Sequence, residues 1–324
     1  MAGNGKLATV FGGSGFVGRH IVWSLARKGY RVRAAVRRPD LAGYLQPMGA
    51  VGQIFPVQAN LRFADSVARA VEGADVVINA VGILAPTGAQ SFEAIHVEGA
   101  GRIAKAAKAA GAERLVHISA IGADKASPAK YAQTKALGEE ATLAGFPGAI
   151  VLRPSIVFGP EDEFFNRFAA MARISPFLPL IGGGATKFQP VFVGDVGHAA
   201  ASAATGAGTP GTIYELGGPQ VSTFKELLKL TLDYSDRKRL LLPIPFWMAK
   251  LIAVLTWPLP NTLRPMTVDQ VRLLQSDNVV SEGAKKEGRT IMALDVPRPA
   301  AVDGIVPAYL ERFKSRGQYA HYHP

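Results

Sequence analysis

Two residues with proton-transfer chemistry, Tyr131 and Lys135, lie four positions apart in the segment Tyr131-Ala132-Gln133-Thr134-Lys135. On a helix, this spacing places a phenol and an ammonium group on the same face. The ammonium group can lower the pKa of the phenol, which can then pass a proton to or from a carbonyl or an alcohol. Such a pair is also common in helices where it has only a structural role, so its meaning depends on the motifs around it.

A glycine-rich stretch near the start of the chain, LATVFGGSGFVG at residues 7–18, has the pattern of a buried strand that runs into a turn and a helix. Its glycine spacing suits a tight turn, close approach of the backbone to a dinucleotide pyrophosphate, and close packing of helix on strand. The N-terminus of the helix adds N–H groups and a positive dipole end. The flanking strand and helix patterns make an ordinary strand-to-helix turn the less favoured alternative. The expected pyrophosphate contacts are Gly12, Ser14, Gly15, Phe16, Val17 and Gly18.

The end of the second predicted strand carries Arg37 and Arg38 where an acidic residue would bind ribose hydroxyls and repel a 2′-phosphate. Two guanidinium groups at this point can bind a 2′-phosphate with charge-assisted hydrogen bonds. The sequence therefore favours NADPH or NADP+ over NAD(H) as the cofactor. Two solvated surface arginines are the alternative.

Further cofactor contacts are expected at the ends of the next strands. Asn60 and Leu61 follow the third strand and are positioned to contact adenine. Ala80, Val81 and Gly82 follow the fourth strand and bring backbone and small side chains towards the adenosine half of the cofactor. Lys135 is expected to bind the nicotinamide ribose, with Tyr131 beside it. Alternatively, either segment could simply end its strand without contacting a cofactor.

The elements that must position these residues follow from the alternation of apolar runs with helix-length segments. Six strands are predicted, at residues 7–11, 31–36, 53–57, 76–80, 115–119 and 149–152. This alternation indicates an α/β fold, a Rossmann-type doubly wound parallel sheet. The alternation breaks after residue 153, so we expect an NADP(H)-binding domain over residues 1–153 and a smaller C-terminal interaction or substrate-side lobe over residues 154–324. Residues 212–216 have the pattern of a strand that can return to the sheet.

Composition restricts the classes of site. The chain has 324 residues, of which 48% are hydrophobic, so a globular protein with a substantial core is expected. It has no cysteine and six scattered histidines, which excludes disulfides and thiolate metal sites and leads us to expect no metal. Redox chemistry would need a bound cofactor.

The net charge of +11 permits an acidic or anionic partner. Residues 236–324 are the more densely basic part, with 13 Lys or Arg against 8 Asp or Glu. No nucleic-acid-binding motif accompanies this charge, so an anionic membrane surface or a protein is the favoured partner and nucleic acid is not. A solvated basic surface without a partner is the alternative.

The segment from Leu240 to Pro260 has 21 residues, and Lys250 is its only charge. Its four prolines confine a helix to about residues 246–257, roughly 18 Å long against a bilayer core of roughly 30 Å. The segment is therefore not expected to cross a membrane. Trp247, Trp257 and the basic run at residues 237–239 suit a helix that lies on an anionic membrane or in an apolar groove of a protein. A buried helix of the C-terminal lobe fits the pattern equally well.

These motifs together resemble the extended and atypical short-chain dehydrogenases/reductases over nearly the whole chain: FGGSGFVG, NAVG and YAQTK occur in the order and spacing of that superfamily. Three more specific blocks, at residues 152–169, 178–196 and 264–281, are similar to the NADPH-binding accessory subunits of respiratory complex I, the NADH:quinone oxidoreductase. The resemblance implies NADP(H) that is held tightly without known turnover. It also implies a position against the peripheral arm, near its junction with the membrane, with other subunits of complex I as partners.

The predicted location is the cytoplasmic face of a bacterial inner membrane, with peripheral attachment through the basic and apolar C-terminal region. The first predicted strand begins at Leu7, which leaves no room for a signal or transit peptide. The protein is therefore expected to stay in the compartment in which it is made.

Other positions bear on catalysis through the same resemblance. Ser119 ends the fifth strand and is followed by apolar residues where these dehydrogenases carry a hydroxyl for the substrate, so Ser119 is expected to line the cofactor. His96 and its neighbours replace the motif of the asparagine that completes the proton relay. Pro154 and Ile156 are expected to contact the nicotinamide ring. Tyr131 and Lys135 are thus catalytic only if the protein is active at all.

Three functions remain open at this stage. The leading hypothesis is a structural or redox-sensing NADPH-binding subunit of complex I, in the respiratory electron-transport chain. The second is a free-standing NADPH-dependent short-chain reductase or sugar-nucleotide epimerase that uses Tyr131 and Lys135. The third is a redox-responsive assembly factor for membrane complexes.

Overall fold

The computed structural model describes residues 5–257 and 266–314. The chain forms two compact units, each discontinuous in sequence. The first unit comprises the described residues of Met1–Pro154, Val193–Leu216 and Val280–Arg298. The second unit comprises those of Ser155–Phe192, Gly217–Val279 and Pro299–Pro324. The division at residue 153 into two continuous domains stays a prediction, because a local change of pattern does not reveal which later segments pack onto earlier ones.

The described residues contain the following strands: β1 Leu7–Phe11, β2 Arg31–Val36, β3 Ile54–Gln58, β4 Val76–Asn79, β5 Arg114–Ile118, β6 Ile150–Pro154, β7 Val157–Phe158, β8 Phe177–Ile181, β9 Lys187–Phe188, β10 Val191–Phe192, β11 Ile213–Leu216, β12 Ser222–Thr223 and β13 Leu240–Ile244. They contain these α-helices: α1 Phe16–Arg27, α2 Ala64–Val71, α3 Ala100–Ala109, α4 Lys130–Gly145, α5 Phe165–Ile174, α6 Val193–Thr205, α7 Phe224–Tyr234, α8 Phe246–Leu255, α9 Val268–Leu273, α10 Glu282–Lys286 and α11 Val302–Leu310. A π-helix, Glu93–Gly99, precedes α3.

The first unit is built on a seven-stranded sheet in the order β11-β6-β5-β4-β1-β2-β3, and every neighbouring pair is parallel. The order reverses between β1 and β4, and open sheets of this kind bind ligands outside the carboxyl ends of the strands at such a point. Phe11 at the end of β1 lies opposite Ala35 of β2 and Asn79 of β4. This topology confirms the predicted Rossmann-type doubly wound parallel sheet. The edge strand β11 pairs with β6 in parallel.

The centre of this sheet is buried because its strands are apolar on both faces. Val10, Val77 and Ile78 have no exposed surface. Val77 packs in one cluster with Ile103 of α3 and residues of α2, while α6 packs with α1 and against β4 and β5. A continuous apolar strand of this kind is the pattern expected where helices cover a parallel sheet. The buried strands fix the turn that follows β1.

The second unit has its own core, formed by α5, α7 and α11 with the strand pair β8 and β13. Within this core, phenylalanine rings contact one another in edge-to-face or tilted arrangements, at positions 158, 164, 165, 168, 188 and 224. The segment at residues 240–257 contributes one strand, β13, paired in parallel with β8, and one helix, α8. Pro258 and Pro260 lie outside the described residues. Nowhere in residues 5–257 and 266–314 is a helix both long and apolar enough to span a bilayer.

Candidate functional site

The turn after β1 depends on glycine at two positions. Gly12 has a φ of +75°, and a Cβ there would lie 3.1 Å from the carbonyl oxygen of Ala80. A Cβ on Gly18 would lie 2.0 Å from the carbonyl oxygen of Gly12, so no side chain fits between helix and turn. The N–H group of Gly15 donates to that same oxygen at 2.9 Å. The three glycines therefore bring the start of α1 directly against the end of β1.

The N-terminus of α1 has the features of an anion-binding end. Its cap residue is Gly15, no side chain caps it, and its first turn contains no acidic residue. The N–H groups of such a turn, together with the helix dipole, attract a phosphate group. A dinucleotide pyrophosphate therefore fits this turn by backbone geometry and by charge.

A cleft of about 250 Å³ opens at this turn. We call it the glycine cleft. It contains nine of the predicted contacts, namely Gly12, Ser14, Gly15, Arg37, Asn60, Leu61, Ala80, Val81 and Gly82. Sequence reasoning missed the other residues that line it: Phe11, Ala35, Val36, Ala59, Arg62, Ile83, Gln90 and Ile95. All except Gln90 and Ile95 lie within three residues of a predicted contact, so proximity to the strand ends was the available signal.

The two predicted arginines separate in the structure. Arg37 lines the glycine cleft. Arg38 instead forms a two-point ion pair with Asp40, with Nε–Oδ1 at 3.0 Å and Nη2–Oδ2 at 2.7 Å. The hydrogen bond between them raises the pKa of Arg38 and lowers the pKa of Asp40. A second cleft of about 450 Å³, the neighbouring cleft, shares Arg37 and Asn60 and also lacks Arg38.

Tyr131 and Lys135 lie on α4, as the spacing predicted, outside the residues that line the glycine cleft. The Lys135 ammonium group donates to the carbonyl oxygen of Ile118 at 3.1 Å and lies 6.0 Å from the centre of the Tyr131 ring. Burial lowers the pKa of Lys135 to about 8 and raises the pKa of Tyr131 to about 12. The sequence predicted that the lysine lowers the pKa of the Tyr131 phenol, but loss of solvation on burial is the larger effect on that pKa.

The π-helix presents His96 to this pair, and we call Phe92, His96, Tyr131, Thr134 and Lys135 the tyrosine–lysine cluster. Nε2 of His96 accepts the Ile83 N–H at 3.1 Å, so Nδ1 carries the proton and donates to the Thr134 hydroxyl at 3.1 Å. Burial, followed by the charge of Lys135, lowers the pKa of His96 to about 3. The imidazole is therefore neutral, and both of its nitrogens are already hydrogen-bonded.

Ser119 is buried, and its hydroxyl donates to the carboxylate of Glu139. Arg153 binds the same carboxylate with two hydrogen bonds of 2.9 and 2.6 Å. Glu139 is only 3% exposed, so these donors replace the water that its charge would otherwise need. The structure thus gives the Ser119 hydroxyl a structural partner and does not place it among the residues of the glycine cleft.

The remaining predicted contacts also lie outside the lining of the glycine cleft. Phe16 and Val17 are in the first turn of α1, where their backbone follows the cap. Pro154 is the last residue of β6, and its carbonyl oxygen accepts the Ile121 N–H at 2.9 Å. Ile156 belongs to the second unit, where its N–H donates to Asn278 Oδ1 at 3.0 Å. The assignment of Phe16, Val17, Pro154 and Ile156 as cofactor contacts stays a prediction.

Comparison with known proteins identifies relatives of the whole chain. Residues 12–143 match a protein family described as NAD(P)H-binding. The mitochondrial NADH dehydrogenase (ubiquinone) 1 alpha subcomplex subunit 9 of Arabidopsis thaliana is 37% identical over 294 residues, which cover 87% of this chain and 73% of that protein. The mitochondrial NADH-ubiquinone oxidoreductase 40 kDa subunit of Neurospora crassa is 32% identical over 320 residues, which cover 97% of this chain and 81% of that protein.

A solved structure shows the same fold. An NADPH-dependent quinone oxidoreductase from Escherichia coli, complexed with NADPH, superimposes with a TM-score of 0.72 at 20% sequence identity. The alignment covers 94% of this chain and 99% of the other. At this identity the likeness is one of fold alone.

Proposed function

The chain belongs to the family of the alpha subcomplex subunit 9, or 40 kDa subunit, of respiratory complex I, and from this membership we propose that it is an NADPH-binding accessory subunit of a respiratory NADH:quinone oxidoreductase. The family membership confirms the resemblance inferred from the three sequence blocks. The match to the NAD(P)H-binding family confirms the predicted nicotinamide dinucleotide cofactor. Because these relatives are subunits of complex I, other complex I subunits are the expected partners of this chain.

The charge of the glycine cleft is the main support for NADPH binding in this proposal. The glycine cleft combines the uncapped N-terminus of α1 with Arg37, and none of the described residues that line it carries a carboxylate. In this proposal the turn from Gly12 to Gly18 binds the pyrophosphate and Arg37 binds the 2′-phosphate, which favours NADPH over NADH. Lys135 then binds the nicotinamide ribose. When bound, the nicotinamide ring supplies or accepts hydride.

The tyrosine–lysine cluster supports a structural or redox-sensing cofactor over a catalytic one. Tyr131 holds its proton firmly, since burial raises its pKa to about 12. Both nitrogens of His96 are engaged, so this side chain has no free position from which to pass a proton between Lys135 and solvent. Ser119 donates to Glu139 and so is not available to orient a carbonyl substrate. The chain therefore retains the parts that bind a cofactor, while those that would move a proton are held in place.

A free-standing NADPH-dependent reductase is the second candidate. The observation in its favour is Lys135, whose pKa of about 8 lies close to the range in which a proton relay operates. This alternative predicts steady oxidation of NADPH when a carbonyl compound or a sugar nucleotide is added to the isolated protein.

The second unit supports peripheral attachment. One face of α8 exposes Trp247, Leu251, Val254 and Leu255, in which Leu251 lies four residues after Trp247 and three or four before the other two, while Ala249 and Ala253 face the core. Trp247 and Leu255 are 68% and 70% exposed, which is unusual for such side chains. We propose that this α8 face meets an anionic membrane surface near the junction with the membrane arm.

The basic run at residues 237–239, before α8, is partly engaged in contacts within the second unit and contributes less to the proposed membrane affinity than three unengaged side chains would. Nε of Arg237 donates to the carbonyl oxygen of Phe313, and Nε of Arg239 donates to that of Ala172. Lys238 between them is exposed. Two of the three side chains thus stabilise the second unit, and apolar area supplies most of the proposed membrane affinity. The cytoplasmic face of a bacterial inner membrane stays the predicted location.

A native pull-down tests the main assignment. The chain is tagged in its own cell, purified in mild detergent, and the denatured eluate is analysed for nucleotides and proteins. We expect NADP(H) together with subunits of the NADH:quinone oxidoreductase, and negligible NADPH oxidation with carbonyl substrates. Recovery of the chain alone with rapid turnover would favour the reductase, and an eluate without nicotinamide nucleotide would refute a tightly held cofactor. Association only during assembly would indicate an assembly factor.

The α8 face is tested separately with a double substitution, Trp247→Gln with Leu255→Gln. We expect lower recovery on anionic vesicles and on native membranes, with unchanged NADPH binding. The matched control is Leu41→Gln with Met292→Gln, which removes two apolar side chains of similar exposure from the first unit. Equal membrane recovery of the two double variants would refute a role for this face.

A further inference from the structure

The glycine cleft is lined by two arginines, Arg37 and Arg62. Arg38 lines neither this cleft nor the neighbouring one. We propose that Arg62, and not Arg38, is the second guanidinium group that binds the adenosine 2′-phosphate and sets the preference for NADPH over NADH. This inference rests on the proposed NADPH-binding function and names a specificity residue within it.

The charge around Arg38 argues against its use. Asp40 lies two residues away and binds the Arg38 guanidinium group through both carboxylate oxygens. The pair carries no net charge, so it attracts a phosphate dianion much less than an uncompensated guanidinium group does. The same carboxylate would repel a phosphate that approached Arg38.

Arg62 is free of such competition. Across residues 5–257 and 266–314, neither Arg37 nor Arg62 forms an ion pair with a carboxylate. The Arg62 guanidinium group lies 5.6 Å from the centre of the Phe63 ring, a contact that orients the group and leaves its charge intact. Both arginines are exposed and can therefore reach a ligand in the cleft.

The turn that carries Arg62 is held on both sides. Its N–H group donates to Asn60 Oδ1 at 3.1 Å, and the N–H group of Asn60 donates to the Ser66 hydroxyl at 3.0 Å. Leu61 is buried, and its carbonyl oxygen accepts a hydrogen bond from Arg102 at 3.1 Å. A turn fixed in this way holds the backbone of Arg62 beside the end of β3, from which the side chain reaches the glycine cleft. Since β3 is the neighbour of β2 in the sheet, Arg62 and Arg37 come from adjacent strand ends.

The neighbouring cleft defines the boundary of this positive region. It contains Arg69 together with Asp65, the one carboxylate among the described residues that line either cleft. Arg37 borders both clefts, whereas Arg62 borders only the glycine cleft. Among the described residues, the glycine cleft is therefore lined by two guanidinium groups and no carboxylate. This charge favours binding of a phosphate dianion.

Calorimetric titration of the full chain tests the assignment. Arg37→Ala, Arg62→Ala and the double variant Arg38→Ala with Asp40→Ala are each titrated with NADPH and NADH, and with 2′,5′-ADP and 5′-AMP as probes of the adenosine half alone. Loss of a hydrogen bond to a charged group weakens binding by about tenfold or more. We expect this loss for NADPH and 2′,5′-ADP in Arg37→Ala and Arg62→Ala, with NADH and 5′-AMP almost unchanged. The double variant Arg38→Ala with Asp40→Ala removes the neutral ion pair as a whole, and it should bind all four ligands like the wild type.

Each other result overturns the proposal. If the variant with Arg38→Ala and Asp40→Ala loses the preference for NADPH and Arg62→Ala keeps it, the second guanidinium group is Arg38. If Arg62→Ala weakens NADPH and NADH equally, Arg62 supports the turn and does not read the phosphate, and a fall in the melting temperature would accompany that result. If the wild type binds no nucleotide, the proposed function itself fails. If the wild type prefers NADPH and Arg62→Ala keeps the same preference, only the assignment of Arg62 fails.

Discussion

The glycine cleft and the tyrosine–lysine cluster belong to the same unit, yet their side chains are used in opposite ways. In the glycine cleft, the groups proposed to bind the cofactor are backbone N–H groups and two guanidinium groups, which form no ion pair with a carboxylate of the described residues. In the tyrosine–lysine cluster, His96 and Thr134 bond to each other, and Lys135 bonds to a backbone carbonyl. The difference teaches that cofactor retention and cofactor turnover are separable, because binding needs available donors while proton transfer needs groups free to change protonation state.

The largest effect is expected from Gly18→Ala. The added methyl group would lie 2.0 Å from a backbone oxygen, so the turn must open. We expect no measurable NADPH binding and a free energy of unfolding lower by about 3 kcal/mol. Urea denaturation with and without NADPH measures both. Gly43→Ala is the matched control, since a Cβ there meets nothing within 4 Å. Normal NADPH binding by Gly18→Ala would mean that the turn beside the glycine cleft is not needed to bind the cofactor.

The next effect compares the two regions directly. Arg37→Glu combined with Arg38→Glu reverses the charge beside the glycine cleft, and we expect NADPH affinity to fall by about a hundredfold or more. Tyr131→Phe removes only a hydroxyl group from the tyrosine–lysine cluster and should retain NADPH almost fully. Nucleotide content of the purified variants is the measurement. Equal retention in the charge-reversed variant would overturn the 2′-phosphate assignment.

A pH dependence of intermediate size is expected from Lys135. Its pKa is lowered from 10.5 to about 8 in the folded chain, so between these values the unfolded chain binds more protons and stability rises with pH. Between pH 8 and pH 10, this group alone should add about 2 kcal/mol to the free energy of unfolding.

Comparison of the wild type with Lys135→Met isolates this contribution, because the other titrating groups are common to both chains. Chemical denaturation across the pH range gives the difference. The same slope in both chains would mean that the lysine is solvated, and the contrast with the glycine cleft would then weaken.

The smallest effect concerns Ser119→Ala. The substitution removes one donor to the buried Glu139 carboxylate and leaves the two hydrogen bonds from Arg153. We expect the free energy of unfolding to fall by about 1 kcal/mol with NADPH affinity unchanged. Parallel denaturation and calorimetry separate the two quantities. A clear loss of NADPH affinity at unchanged stability would return Ser119 to the cofactor site predicted from the sequence.

Much of the site nearest the glycine turn was predictable, because its signal is local. An apolar run followed by Gly12, Gly15 and Gly18 leaves few backbone conformations, and residues just after each strand must reach the same edge of a parallel sheet. Residues 240–257 show where such reasoning stops. Their apolar character predicted one short helix, whereas the first five residues form β13 because β8, some 60 residues earlier, offers a parallel partner.

By itself, the sequence determined the parallel sheet, the glycine turn and the two arginines directly after β2, since each depends on a few neighbouring residues. Only the tertiary structure decided that Asp40 forms an ion pair with Arg38 and that Arg62 borders the glycine cleft. It also decided that the Glu139 carboxylate accepts hydrogen bonds from Ser119 and Arg153. The physical reason is that the strength of a charge or a hydrogen bond depends on its partner and on its exposure to water. Except for the pair of Arg38 and Asp40, those partners come from distant parts of the chain.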